Sequence, residues 1–366
     1  MNTLFPFGFP FPTAFYLGFY ILTLVIHVIF MNYVLAGAGY LAVVSVFTGG
    51  RTVQRQNTPT ALVLRDWLPF AISAAITAGV APLLFIQILY KENFYTANLL
   101  LSHRWMAIVP VLIVGFYLSY LLKSKTIERW PSILRVLVGV GVFACFLFTA
   151  YSWTENHLLS TEDPGTWSDF YVSPSFIYQH PQLLPRMLLW SVGAIPTMVT
   201  LVAWQLRYKT KSDRVDSLSS ENRRLSLLAL AGIVLSLACG GFYYSAMDSS
   251  MDRIMTSSLA LLYLIIAVLG LMVQSFSWTV VLLRQRLDFR WLTITTIGLV
   301  MTILGMSVVR EAIRLSTIDI EALYQQHEAA TRVGGLFVFL AFFIVNAALI
   351  IWCFVLVRRN AQSLSR

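Results

Sequence analysis

Long apolar runs separated by short polar connectors dominate the chain. Nine runs are long enough to cross a bilayer, at about 16–47, 67–90, 105–122, 132–153, 187–206, 225–245, 256–283, 291–309 and 334–357. A hydrocarbon core of about 30 Å is crossed by roughly 20 helical residues. Strands of a lipid-facing barrel would be about ten residues long and would alternate in polarity. These runs are longer and uniformly apolar, so each is predicted to be a helix that satisfies its own backbone in lipid. The first and seventh exceed the core thickness and must tilt, kink or protrude. The predicted fold is an all-α polytopic membrane bundle of nine transmembrane helices forming a single integral membrane domain over 1–366.

The connectors alternate in charge. Alternate loops and span ends hold 19 of the 26 basic residues and 6 of the 17 acids, a formal +13. This set includes Arg51, Arg55, Arg65, Lys123, Lys125, Arg207, Lys211, Arg214, Arg284, Arg358 and Arg366. The other set carries 7 basic and 11 acidic residues, a formal −4. By the positive-inside rule the N-terminus is expected outside and the C-terminus in the cytoplasm.

Composition then narrows the class. Of 366 residues, 58% are hydrophobic and 12% charged, against about 25% charged in soluble domains. An ordinary soluble enzyme, a disordered chain and a nucleic-acid module are excluded, and the net charge of +9 belongs to the connectors. The N-terminal stretch lacks a basic segment and a small-residue cleavage site, so it does not read as a cleaved signal peptide. Its Phe5, Phe7, Phe9 and Phe11 are expected in the outer interface. Cys145, Cys239 and Cys353 fall in three different spans, where buried packing is expected. The absence of CxxC and CxxCH argues against zinc, iron–sulfur or covalently attached haem. Nor is there a Walker A motif, a Gly-rich dinucleotide loop or HExxH. A transporter would show a pair of interrupted helices in matching halves, and none stands out.

His27 is the most informative single residue. It lies inside the first span, with Thr23 and Met31 on the same helix face. An ionisable residue within a span is costly and points into the bundle. A neutral imidazole there is either an axial haem ligand or an interhelical hydrogen-bonding group. Glu311 and Arg314 end the eighth span, three apart and therefore on one face if the helix continues. They read either as a haem-ligating or proton-accepting carboxylate beside an arginine for a propionate or other anion, or as an ordinary interfacial ion pair. The first span enters and the eighth exits on the same side, so His27 and Glu311 are both expected in the outer half. In the second span, Gly79 and Pro82 offer a kink. Gln87 needs a polar partner, either a quinone or a neighbouring helix. His103-Arg104-Trp105 reads as an interface anchor. His157, His180 and His327 are placed in outer loops.

This pattern resembles subunit I of cytochrome bd-type quinol oxidases. The resemblance rests on His27-Val28-Ile29-Phe30 through Ala36-Gly37-Ala38-Gly39-Tyr40, and on Ala78-Gly79-Val80 through Gln87 followed by Asn93-Phe94-Tyr95. Tyr151-Ser152-Trp153-Thr154-Glu155-Asn156 and Glu311-Ala312-Ile313-Arg314 complete it. It implies a nine-span subunit in a bacterial-type cytoplasmic membrane, with His27 ligating haem b. Glu311 is then a second ligand or proton acceptor, and Arg314 steadies a propionate. The chain departs from the family in several places. Arg186 stands where the low-spin haem histidine is expected, and Leu261 or Leu262 near the position of the methionine. Ile313 replaces a glycine, and the quinol-binding loop shrinks to about 246–255. The resemblance therefore implies a degenerate relative and not a complete oxygen reductase. Such a subunit would exchange electrons between membrane quinone and a partner such as a c-type cytochrome, or would anchor that partner without haem.

Overall fold

The computed structural model describes residues 5–6, 8–48, 58–174, 178–209, 219–247, 251–332 and 335–363. Among them all regular structure is helical. Arg51, Arg55, Lys211, Arg214, Arg366 and Phe7, which figure in the charge pattern and the N-terminal reading, lie outside the described residues.

Helix α1 spans Phe11–Thr48 and α2 spans Pro59–Leu89. A short α3 (Lys91–Leu101) leads into α4 (His103–Lys123). After a 3-10 turn come α5 (Ser132–Leu159), a short α6 (Pro164–Val172) and α7 (Leu183–Lys209). Next are α8 (Ser219–Ser245), the single turn α9 (Met251–Met255), α10 (Leu261–Arg284) and α11 (Phe289–Leu315). The chain closes with α12 (Ile320–Arg332) and α13 (Gly335–Ser363).

Eight of these, α1, α2, α4, α5, α7, α8, α10 and α11, are long and apolar enough to cross a membrane. The ninth expected span falls in α13, which makes a ninth only when joined to α12 as one bent span. Outward-facing Val109, Ile113, Tyr117, Val234, Leu235, Met272 and Phe276 are exposed. So many bare apolar side chains on long helices suit contact with acyl chains, not water.

The helices run alternately between two faces. The face where α1 begins is called the near face and the other the far face. Helix starts follow local chemistry. Thr58 caps α2, its hydroxyl accepting from Ala61 N at 3.2 Å, with Pro59 at the first helical position. Asp163 caps α6 by accepting from Gly165 N at 2.7 Å and Thr166 N at 3.1 Å.

Two packing devices position the interior. Helix α1 lies along α2, with Leu64, Leu68 and Ile72 against Tyr33, Leu35 and Leu41 in one buried cluster. Helices α10 and α11 approach until their backbones touch at Gly270, Gly298 and Gly305. A Cβ on Gly298 would stand 2.8 Å from the Gly270 carbonyl oxygen. Small residues permit such contact, which is how helices associate in lipid without a hydrophobic driving force.

The structure corrects two placements. Phe5 and Phe9 are not on the surface, where an interfacial ring would sit. They are buried with Leu17, Tyr20 and Leu24, and Tyr263 Oη donates to the Phe5 carbonyl at 2.7 Å; of the described phenylalanines in this stretch only Phe11 is exposed. His157 and His327 are not in loops. Helix α5 runs a turn and a half past its apolar run, and its polar end is buried. His327 lies on the inner face of the amphipathic α12. The cysteines are free, with Cys145 and Cys239 half-buried and Cys353 exposed.

Candidate functional site

The polar residues that matter collect near one end of the bundle. On α1, Thr13, Tyr20 and His27 recur every seven residues and so share a face. Each meets a different element. Thr13 Oγ1 bonds His327 Nδ1 of α12 at 2.9 Å. Tyr20 Oη accepts from Arg310 Nη2 of α11 at 2.6 Å. His27 Nδ1 bonds the Ala75 carbonyl of α2 at 2.9 Å.

The His27 contact fixes a tautomer. A carbonyl oxygen only accepts, so Nδ1 carries the proton and Nε2 keeps its lone pair. Gly79, one turn beyond Ala75, makes room for the ring. A Cβ there would lie 2.9 Å from Cε1 and 3.0 Å from Nδ1. This close approach is what the glycine provides.

Glu311 and Arg314 are both fully buried on α11. They share a face as expected but do not pair directly. Tyr90, at the junction of α2 and α3, joins them. Its hydroxyl donates to Glu311 Oε1, and its ring lies 3.8 Å from the Arg314 guanidinium carbon, a cation–π contact. Arg310 Nη2 stands 3.8 Å from Glu311 Oε2, an oxygen that accepts no hydrogen bond. Arg314 Nη2 donates to Ser160 Oγ on the turn after α5 at 3.0 Å.

Beside this group, Arg186 at the start of α7 donates from Nη1 to His157 Nδ1 at 2.8 Å and from Nη2 to Tyr243 Oη at 2.6 Å. A buried arginine thus occupies the position where the resemblance puts a haem histidine. Leu261 and Leu262 sit partly exposed at the first turn of α10. Next to His157, Glu155 Oε1 accepts from Arg104 at 2.7 Å, Tyr151 at 2.9 Å and Tyr178 N at 3.0 Å. Arg104 is therefore an internal ion-pair partner more than an interface anchor, while Trp105 packs on Trp153 with ring centroids 4.8 Å apart.

In the connector that follows, Glu162 accepts from Tyr178 Oη at 2.9 Å and meets His180 Nε2 at 3.3 Å. The hydrogen bond from His180, reinforced by Tyr178, holds its carboxyl below the usual glutamate range.

The structure therefore brings Glu311 and Arg314 into one cluster and leaves His27 outside it. Among the described residues His27 and Glu311 share no hydrogen-bond partner; Arg310 is the charged group within electrostatic range of both. Tyr20, which binds Arg310, precedes His27 by two helical turns, a rise of about 10 Å. Gln87 is half-buried and makes no hydrogen bond among the described residues. No set of three or more His, Cys, Asp or Glu gathers as a metal-ligating group among the described residues; a haem iron needs only one or two axial side chains from the protein.

Sequence reasoning did not single out Tyr20, Tyr90, Arg310 or Ser160, and it did not join His157 to Arg186. The seven-residue polar repeat 13, 20, 27 on α1 was the available signal. Comparison with protein families, curated proteins and solved structures finds no match to this chain.

Proposed function

We propose that this chain is an integral membrane subunit of a respiratory electron-transfer complex in a bacterial-type cytoplasmic membrane. In this reading it exchanges electrons between membrane quinone and a partner redox protein such as a c-type cytochrome, and His27 holds haem b. One observation carries the reading: Nδ1 of His27 is committed to a backbone carbonyl, leaving Nε2 as a free lone pair inside a span. Metal-ligating histidines are oriented in this way, the outer hydrogen bond fixing the ring and raising its basicity.

Haem, when bound, supplies one-electron transfer, and the protein supplies position and potential. Here Ala75 and Gly79 set the plane of the ring. Glu311, with one oxygen unpartnered, can take up a proton, which Tyr90 and Arg310 would stabilise or release. Arg314 offers a cation to a propionate, and Gln87 a half-buried amide to a quinone carbonyl.

The test is a reduced-minus-oxidised optical spectrum of the full chain purified in detergent. A haem difference spectrum is expected, lost in His27→Ala while the chain still assembles. Absence of haem absorbance from the wild-type chain refutes the reading.

A second reading has its own support. The His27–Ala75 bond and the seat at Gly79 tie α1 to α2 whether or not a cofactor is present, as a haem-free structural anchor for a redox subunit would require. It predicts normal assembly and electron flow when both His27 and Glu311 are neutralised.

A further inference from the structure

At the near face the ends of α5 and α11 bury side-chain donors that make no hydrogen bond. Arg314 is fully buried, and its Nε and Nη1 make no hydrogen bond. Because Arg186 can only donate, His157 Nδ1 must accept, and the His157 proton sits on Nε2. That N–H is also buried and unpartnered. Arg314 is bonded to Ser160 at 3.0 Å, and Ser160 lies one turn beyond His157, its hydroxyl donating to the His157 carbonyl at 2.8 Å. Ser160 thus links the two side chains that carry idle donors, Arg314 and His157, at the end of α5. Arg186, Arg314 and Arg310 are all within electrostatic range of His157.

Charge points the same way. Among the described residues, neither Arg314 nor Arg186 has a carboxylate within salt-bridge distance. Glu311 is shared with Arg310 and Tyr90, and Glu155 is taken by Arg104. A buried cation without a counter-charge is strongly unfavourable, and so is a buried N–H without an acceptor. One negatively charged acceptor relieves both defects.

We propose that Arg314 and His157, with Arg186 and Ser160 behind them, form an internal site for one small anion, a halide or a carboxylate. The free donors are all N–H groups on buried side chains, so charge and size select the occupant. It holds whether or not the electron-transfer reading does. The anion has two conceivable sources: free in solution, or the carboxylate arm of a bound cofactor.

The experiment melts the full chain in detergent at constant ionic strength in sodium chloride, acetate or gluconate, followed by tryptophan fluorescence. The haem-free chain, made in cells denied haem synthesis, is expected to melt about 2 °C or more higher in chloride or acetate than in bulky gluconate, with saturation. Arg314→Gln abolishes the difference. Should that variant not fold, His157→Asn keeps an acceptor for Arg186, removes the Nε2 donor, and must also flatten the salt series. If a cofactor carboxylate fills the site, haem-bearing protein shows no salt difference and haem-free protein does, with Soret absorbance reporting which form is melted. Equal melting of the haem-free wild type in all three salts overturns the proposal. Failure of the electron-transfer reading shows separately, in the wild-type optical spectrum.

Discussion

Replacing Gly79 with alanine tests the seat of His27 directly. The new Cβ would stand 2.9 Å from Cε1 and 3.0 Å from Nδ1 of the ring, closer than carbon atoms pack. The ring cannot retreat freely, because its Nδ1 is bonded to Ala75 on the same helix at 2.9 Å. Loss of that hydrogen bond costs about 0.5–1.5 kcal/mol, and overpacking adds about 1–3 kcal/mol. Alanine's better helix propensity offsets up to about 1 kcal/mol. The net expectation is a destabilisation of about 1–3 kcal/mol, read by reversible denaturation in detergent micelles. A double-mutant cycle sharpens the test. In a His27→Ala background the added methyl meets empty space, so Gly79→Ala becomes neutral or stabilising, giving a coupling of about 1–3 kcal/mol. If the two substitutions are additive, the ring does not rest on Gly79 and the tautomer argument loses its support.

Three further outcomes follow from other parts of the molecule. Gly305→Ala places a Cβ 2.8 Å from Ala267 N and against the Tyr263 carbonyl; since backbone cannot yield as a side chain does, it is expected to cost at least about 2 kcal/mol, and unchanged stability in a micelle melt would contradict the close α10–α11 packing. Arg104→Ala leaves the buried Glu155 without its cation, an expected loss of about 3–5 kcal/mol, of which part returns in the Arg104→Ala/Glu155→Gln pair; a double variant worse than both singles would count against the ion pair. The third concerns pH. The Glu162 carboxyl is held below its usual value, chiefly by His180, so the fold stabilises its ionised form. That contribution is complete above the ordinary glutamate range and is lost as pH falls through the depressed folded value. Amide exchange in 160–182 should therefore accelerate on acidification below about pH 4, and Glu162→Gln should remove that step; an identical profile in wild type and variant would exclude the pair as its cause.

The bundle was legible because lipid leaves a chain few choices. Runs such as 105–122 and 225–245 must be helices, and the structure makes them so at His103–Lys123 and Ser219–Ser245. The misplaced pieces lie where the apolar rule stops. Past residue 153 the sequence turns polar, yet α5 continues to Leu159 because Thr154, Glu155, Asn156 and His157 find buried partners. The phenylalanines before α1 read as interfacial, since no local pattern tells a lipid-facing ring from one tucked under α10. In the candidate site, shared-face spacing brought Glu311 and Arg314 together. It could not reveal Tyr90 between them, because Tyr90 is 221 residues from Glu311 in sequence. His27 and Glu311 lie on the same side of the membrane midplane in the predicted topology. Among the described residues they nevertheless share no hydrogen-bond partner, and topology alone does not bring two side chains together.

The distribution of cost across the interior bears on what the chain is for. A scaffold that only had to span a membrane could fill its core with Leu, Val and Ala, which make up much of the far cluster although Glu221 and Asn222 are buried at that end too. Instead the near half buries Glu155, Glu311, Arg186 and Arg314, and ionisable groups in such surroundings are expensive unless every charge is answered. Some are answered. Arg104 meets Glu155, and Arg310 meets both Tyr20 and Glu311. Others are not, and near the α5 terminus they are of both kinds: N–H donors on Arg314 and His157, and one carboxylate oxygen each on Glu155 and Glu311. The carboxylates have cations beside them, Arg104 for Glu155 and Arg310 for Glu311, whereas among the described residues Arg314 and Arg186 have no carboxylate within salt-bridge distance. A bound negative group would answer the two arginines, as the anion-site proposal requires. That imbalance of charge, together with the lone pair that the Ala75 bond leaves on His27, is what favours the proposed cofactor-bearing subunit over a bare anchor.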